Sequence, residues 1–223
     1  MGRLTKAAGG VLSIVALASL PGAGAAAAAE PAAPAEPCPD ADLVPASDNL
    51  ARVEAATLCV INRERGAARL VALRRAPRLD RSAAFHSAEM VRYRFLAHES
   101  PGRPSLLTRV TGYGYFKGVS DGLYAENVGA GPSSNDTANA LVKAWMDSPP
   151  HRANILYPRF RHVGIAAVLA PRDPAFFEDY PSTVYTTDFG RRFKRPSCVR
   201  RKRAGSTDRS ATPRWRFCRR RRR

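Results

Sequence analysis

The chain has few cysteines and few histidines, and its cysteines lack the spacing of a structural zinc site. Its 223 residues include four cysteines, none in a Cys-x-x-Cys pair, and four histidines. Structural zinc sites usually draw their cysteines from such closely spaced pairs, so a tetracysteine zinc site is excluded. Apolar residues make up 44% of the chain, which is enough for a buried core and excludes disorder throughout.

Acidic residues are also scarce, but the shortage is confined to one end of the chain. The sequence has 19 acidic and 36 basic residues, a formal net charge of +17. Residues 191–223 hold 16 lysines and arginines and one acid, Asp208, which leaves 20 basic and 18 acidic residues in 1–190. A near-neutral body therefore carries a basic tail. This distribution excludes a basic nucleic-acid-binding domain as the whole protein, and we expect no specific nucleic-acid partner.

Long apolar runs are missing except at the N-terminus. Two basic residues precede an uncharged stretch over 7–20, which leads into the small-residue sequence Ala27-Ala28-Ala29. A positive start, a short apolar core and an A-x-A site predict a secretory signal peptide over 1–29. A retained membrane anchor is the alternative, but the run is shorter than the roughly 20 residues that span a bilayer. We expect a secreted, extracellular, monomeric protein.

Export changes what the cysteines predict. An even number in an oxidising compartment favours disulfides over a catalytic thiol. Four cysteines allow three pairings, and the sequence does not choose among them. Proximity favours Cys38–Cys59, which would join a Pro/Ala-rich linker over 30–47 to the first helix, and Cys198–Cys218, which would lie inside the tail.

One domain is predicted between linker and tail, over 48–190. Helical spacing and caps predict four helices, and runs of β-branched and aromatic residues predict strands. The helices are expected from Ser47 or Asp48 to Arg65, from a cap at Asp80 to Tyr93, over 105–112, and from Asn135 to Asp147. Pro149-Pro150 is expected to end the last helix. The strands are expected over 125–131, 162–170 and 182–189. Helices first and strands later indicate an α+β fold rather than repeated βαβ units.

Two histidines lie on loops just after predicted helices. His98 follows the second helix, His151 follows the fourth, and Glu126 lies between them in the sequence. Two imidazoles and a carboxylate can form an open divalent metal site or an acid–base pair. Their separation in sequence leaves the alternative of unrelated exposed loop residues. His86 lies on the apolar face of a helix and is expected to be a hydrogen-bonded core histidine.

One motif suggests a serine hydrolase but lacks the structural context for it. Residues 118–122 match G-x-S-x-G, the nucleophile elbow, with Ser120 at its centre. That motif requires a strand before the serine and a helix after it. A glycine-rich, non-helical segment follows here, so we interpret the motif as a surface turn.

Five segments, taken in order, resemble the CAP superfamily, also called the SCP domain (cysteine-rich secretory proteins, antigen 5 and pathogenesis-related 1), and its bacterial secreted branch in particular. They cover most of 50–190: ATLCVINRERGAARLVAL, RLDRSAAFHSAEMVRYRFLAHES, AENVGAG, VKAWMDSPPHRANIL and FRHVGIAAV. The resemblance implies a three-layer α-β-α sandwich.

The same resemblance implies a cleft with two histidines and two acids. The F-x-x-H motif gives His98, the E-N pair gives Glu126, and S-P-x-H-R-x-N gives His151. The second acid of eukaryotic members falls at Ser148 in this chain, and the neighbouring Asp147 is turned away by about 100° on a helix. Three of the four groups remain, and zinc or magnesium is the expected metal on the histidine pair, with water completing its shell.

The sequence is compatible with three functions. The first is an extracellular binding module for a ligand such as a lipid or a cell-envelope component, as the resemblance implies. The second is a metal-dependent hydrolase, peptidase-like or esterase-like, with His98 or His151 as the base. The third is attachment to anionic polymers through the arginine-rich tail. The missing second acid favours the first.

Overall fold

The computed structural model describes residues 37–119, 121–132, 136–172 and 182–193. The signal peptide predicted over 1–29, Ser120, Cys198, Cys218 and the rest of the tail after Phe193 lie outside these residues. In the described part of the chain, no helix is both long and apolar enough to span a bilayer.

Five helices and four strands make up the described domain. In chain order they are α1 (Leu50–Ala67), β1 (Arg74–Arg75), α2 (Pro77–Tyr93), α3 (Leu106–Gly112), β2 (Asp121–Pro132), α4 (Ala138–Asp147), α5 (Pro149–Ile155), β3 (His162–Ala170) and β4 (Ser182–Phe193). The sheet order is β1-β3-β4-β2, with β1 parallel to β3 and the other pairs antiparallel. The last strand in sequence is therefore central.

Helices cover both faces of the sheet. On one face, the main core joins α1 and α4 to the inward side chains of β3 and β4, including Val53, Trp145, Ile165 and Phe189. On the other face, α2 packs closely on β3: a Cβ at Gly164 would lie 2.1 Å from the carbonyl carbon of Leu79. Only glycine permits this approach. The predicted α+β, three-layer α-β-α sandwich is confirmed.

Helix starts differ from the sequence expectation by a few residues. Asn49 precedes α1, and Thr137 caps α4 by accepting a hydrogen bond from Ala140 N. The predicted cap at Asp80 is wrong, because α2 begins at Pro77 and places Asp80 in its first turn. Proline suits a first helical position, where an N–H has no helical partner. The Asp80 carboxylate instead accepts from Ile165 N and Arg75.

Helix α5 and strand β1 were not predicted, so His151 lies on a helix rather than on the expected loop, and the last strand is longer than expected. Pro149-Pro150 ends α4 but also starts α5, which carries the S-P-x-H-R-x-N segment. The final strand continues to Phe193, three residues past the expected boundary at 190, because Arg191, Arg192 and Phe193 pair with β2. Those three residues belong to the sheet rather than to the tail.

The disulfide predicted between Cys38 and Cys59 is confirmed. The two Cα atoms are 5.6 Å apart, and the bond joins the start of the described chain to α1. Cys38 is buried in the main core with Ala41.

Candidate functional site

The structure brings His98, Glu126 and His151 together. His98 Nδ1 lies 3.0 Å from Glu126 Oε1, and the rings of His98 and His151 are 6.4 Å apart between centroids. Three segments of the chain supply them: the loop after α2, the strand β2 and the helix α5. Residues distant in sequence thus share one site.

Asparagine side chains fix α5 against β2 and so place His151 near Glu126. Asn154 Nδ2 donates to the Glu126 carbonyl and to Asn127 Oδ1, at 3.0 and 2.9 Å. Asn127 Nδ2 in turn donates to the His151 carbonyl at 3.1 Å. These bonds give the E-N pair and the last residue of S-P-x-H-R-x-N a structural role. These hydrogen bonds hold β2 and α5 in a fixed position relative to each other.

The C-terminal end of α5 is also held by a buried arginine. Arg65 of α1 is fully buried, and its Nη1 donates to the carbonyls of Ile155 and Tyr157. A helix C-terminus leaves carbonyls without intrahelical partners, and a cation there satisfies them. The short helix that carries His151 is therefore anchored through the carbonyl of His151 itself and through its C-terminal end.

Glu126 is the buried centre of the cluster. Its Oε2 accepts from Nη2 of Arg109, which is itself buried on α3, and its Oε1 accepts from His98 Nδ1. His86 Nε2 lies 3.7 Å from Oε1. A buried carboxylate requires charge pairing and hydrogen bonds, and Arg109 and His98 supply both. The sequence predicted neither Arg109 nor the nearness of His86.

The environments of the two site histidines push their pKa values apart. The hydrogen bond to Glu126 raises the pKa of His98, and the carboxylate charge adds to the effect. Burial lowers the pKa of His151, and the charge of His98 adds to that effect. A neutral imidazole thus faces one that is more readily protonated, which is the electrostatic arrangement of an acid–base pair.

His86 is the hydrogen-bonded core histidine that the sequence predicts. It is 2% exposed, and its Nε2 lies 3.0 Å from the Ala97 carbonyl. Because a carbonyl only accepts, Nε2 carries the hydrogen. Burial lowers the pKa of this imidazole, so it stays neutral beside Glu126.

Ser148 and Asp147 lie as their positions in the sequence suggested. Ser148 Oγ is 2.9 Å from His151 Nδ1. Asp147 points away and pairs with Lys143, with 65% of its side chain exposed. The second acid of the four-group cleft is absent here, and a hydroxyl contacts His151 instead.

A second buried acid does exist, one strand further into the sheet. Asp188 of β4 lies opposite Glu126 of β2 and is fully buried behind it. Sequence reasoning missed it. An acid inside the strand STVYTTDF was the available signal, since strands of β-branched and aromatic residues rarely bury an aspartate.

The site opens into a cleft with an apolar wall. The cleft has a volume of about 480 Å³, and Leu106, Leu107 and Tyr124 line it beside His98 and Glu126. Leu107 and Tyr124 are 46% and 42% exposed. Polar groups that converge beside an exposed apolar wall are typical of a small-molecule site.

The side chains at this site can be compared with the ligands that a bound metal ion requires. Among the residues that the structure describes, no three His, Cys, Asp or Glu side chains are placed to hold one ion. Two imidazoles remain, each with its Nδ1 engaged, by Glu126 for His98 and by Ser148 for His151. An Nδ1–H held by an acceptor is the usual support for a histidine that binds metal through Nε2.

A sequence model of one family matches most of the domain. The model described as "CAP: Cysteine-rich secretory protein family" matches residues 58–186. The chain belongs to the CAP family, and the resemblance drawn from its five segments is confirmed.

Similar proteins come from bacteria. The uncharacterized protein YkwD of Bacillus subtilis (strain 168) is 34% identical over 90 residues, which cover 40% of this chain and 32% of that protein. The match thus spans about a third of that relative's length.

Solved structures that are similar to this chain share less sequence identity with it. An outer surface protein from Borrelia burgdorferi is 18% identical, with a TM-score of 0.49, over 61% of this chain and 90% of that one. An extracellular protein containing a SCP domain from Bacillus anthracis str. Ames is 24% identical, with a TM-score of 0.46, over 65% of this chain and 41% of that one.

Proposed function

We propose that this protein is an extracellular CAP-domain binding module whose cleft holds a divalent metal through Nε2 of His98 and of His151. One observation carries the proposal: buried Glu126 binds Nδ1 of His98, whose ring lies 6.4 Å from a second imidazole between centroids. Glu126 acts here as the support for a ligand and not as a ligand itself, because Arg109 and His98 occupy its two oxygens.

Such a site favours zinc over magnesium and binds it openly. Imidazole nitrogen suits zinc, whereas magnesium prefers oxygen ligands. Two protein ligands leave the remaining positions to water or to a bound molecule, so affinity is below that of a closed structural site. A bound ligand with a polar head on the metal and an apolar body against Leu107 and Tyr124 fits the cleft. Lipids and amphipathic cell-envelope components have this chemistry.

The extracellular location rests on the first part of the chain and on the disulfide. Residues 1–29 have the pattern of a secretory signal peptide. The Cys38–Cys59 bond belongs to an oxidising compartment. Sequencing the N-terminus of the exported protein tests this directly: we expect it within about two residues of Glu30, and a chain retaining Met1 contradicts it.

Zinc binding is tested by calorimetry on the full chain with its Cys38–Cys59 disulfide intact. We expect His98→Gln and His151→Gln each to weaken zinc binding by at least about tenfold, since loss of a supporting or direct ligand has effects of this size. His162→Gln removes a histidine elsewhere on the sheet and serves as the matched control. Equal affinities in all four proteins would overturn the metal site.

Hydrolysis is the second candidate, favoured by the Ser148–His151 hydrogen bond. A serine hydrogen-bonded to a neutral imidazole supplies the nucleophile and the general base of a catalytic triad. The third member of such a triad is a group that orients the base. Among the described residues, no carboxylate bonds to the other nitrogen of His151, which is why binding ranks first. Ester and casein hydrolysis by the wild type and by Ser148→Ala separates the candidates. Turnover that Ser148→Ala or zinc removal abolishes establishes a hydrolase; no turnover in any protein leaves the binding module.

A further inference from the structure

A second cavity lies on the sheet edge away from the histidine cleft. It has a volume of about 710 Å³ and is lined by side chains from β1, α2, the turn after α3, β3 and β4. Five of these side chains are cationic: Arg75, Arg78, Arg81, Lys117 and Arg192. No aspartate or glutamate of the described residues belongs to the lining. We call this cavity the basic pocket.

Most of the positive charge in the basic pocket is unpaired. Arg75 forms ion pairs with Glu54 and Asp80 behind the pocket. Within the described residues, the other four cations have no acidic partner. Arg81 and Lys117 are exposed. Like charges held together without counter-charges repel, so an anion in the pocket would be stabilising.

Arg192 contributes a donor that the protein leaves unsatisfied. Its Nη2 donates to the Lys117 carbonyl at 2.7 Å, which fixes the guanidinium at the pocket wall. Its Nε is buried and has no hydrogen-bond partner among the described residues. A buried donor without a partner has a substantial free-energy cost.

Tyr115 and His162 complete the lining of the pocket. Burial raises the pKa of Tyr115, so the hydroxyl keeps its hydrogen, and its oxygen lies within hydrogen-bond distance of His162 Nδ1, at 2.8 Å. Burial and the charges of Arg74 and Arg192 lower the pKa of His162.

We propose that the basic pocket binds a phosphate group. Its cations approach from four different elements, which suits a tetrahedral oxyanion with three terminal oxygens better than a planar carboxylate. Arginine dominates the set, and its guanidinium pairs with phosphate oxygens through two parallel hydrogen bonds. The phosphate belongs either to a monoester or to a phosphodiester, and the two are distinguished by experiment.

The imidazole of His162 reports on binding independently of the basic tail. We would follow the histidine proton resonances of the full chain by NMR against pH, assigned with His162→Gln. The probes are inorganic phosphate, glycerol 3-phosphate, diethyl phosphate and acetate, each at an ionic strength matched with KCl. We expect phosphate to raise the pKa of His162 by about one unit, because a nearby anion favours the protonated ring.

Charge-matched variants separate the pocket from general electrostatics. Arg81→Gln with Lys117→Gln removes two exposed pocket cations and should abolish most of the shift. Arg152→Gln with Arg172→Gln removes two exposed cations elsewhere and should leave it unchanged. A response to diethyl phosphate identifies a phosphodiester site, and a response to the monoesters alone identifies a terminal phosphate site. An equal response to KCl or acetate, or equal responses in the two double variants, would overturn the proposal.

Discussion

Glu126 of β2 and Asp188 of β4 are cross-strand partners, and both carboxyl groups are buried. Arg109 forms its ion pair with Glu126. Burial, and then the charge of Glu126, raises the pKa of Asp188 well above its usual range. Asp188 therefore keeps its proton well into the pH range where an exposed aspartate has lost it. Because Asp188 keeps its proton there, the two neighbouring carboxyl groups do not both carry a negative charge.

We expect Asp188→Asn to stabilise the protein at neutral pH relative to wild type. The folded state holds a proton on Asp188 that the unfolded chain releases near pH 4, so wild-type stability falls as pH rises above that value. One such proton contributes a slope of about 1.4 kcal/mol per pH unit until the folded pKa is passed. The amide resembles the protonated carboxyl and removes this slope. Urea unfolding between pH 4 and 8 measures it.

Asp147→Asn is the control for this measurement, because Asp147 is exposed and paired only with Lys143. Its pH profile should match wild type. An Asp188→Asn profile parallel to wild type would show that Asp188 is ionised in the folded protein at all these pH values.

The two cleft histidines should titrate on opposite sides of the ordinary histidine value. Glu126 raises the pKa of His98, whereas burial and His98 lower that of His151. In His98→Gln the pKa of His151 should rise, because the neighbouring positive charge is gone. Proton NMR titration measures both values. His162→Gln should leave His151 unchanged, and an unchanged His151 in His98→Gln would contradict the coupling.

Removal of the Cys38–Cys59 bond should lower the free energy of unfolding by about 3 kcal/mol, because its loop constrains the unfolded chain. The bond closes a sequence separation of 21 residues. We would compare Cys38→Ala with Cys59→Ala against wild type in urea. The matched control, Cys198→Ala with Cys218→Ala, removes the pairing predicted for the tail and should change stability far less. Equal effects of the two pairs would contradict this assignment.

The arginine-rich tail should anchor the protein to anionic polymers without contributing to the fold. A chain ending at Phe193 should unfold like the full chain but lose salt-sensitive retention on isolated cell envelope, since such binding depends on counterion release. A chain ending at Gly190 should also be less stable, because it lacks the last three pairs of β4 with β2. Retention that is equal with and without the tail, or insensitive to salt, would contradict the anchor.

Local patterns in the sequence were sufficient to predict most of the helices and strands. The short helix expected over 105–112 forms as α3 and ends at Gly112, with Ser105 as its cap, and the strand over 162–170 has the predicted bounds. The start of α2 was missed because a charged residue, Asp80, resembled a cap. Its carboxylate serves the neighbouring strand instead, a tertiary contact that local sequence does not encode.

The candidate site was found through motifs and not through physics alone. Local patterns place His98, Glu126 and His151 on separate loops and a strand. Arg109 and Asp188 were missed because each depends on long-range packing: Asp188 meets Glu126 only through the register of β2 with β4. A shift of one residue would turn Asp188 to the opposite face. The sequence of β2 or of β4 alone does not determine which residues of the two strands pair.

The central position of β4 determines when the domain can fold. Both β2 and β3 pair with β4, and β1 reaches the sheet only through β3. A growing chain therefore has no template for its long strands until Phe193 has been synthesised. Contacts between β2 and β4, which α4, α5 and β3 separate in the sequence, also form slowly. The sheet therefore closes only when its last strand in sequence, β4, has been synthesised.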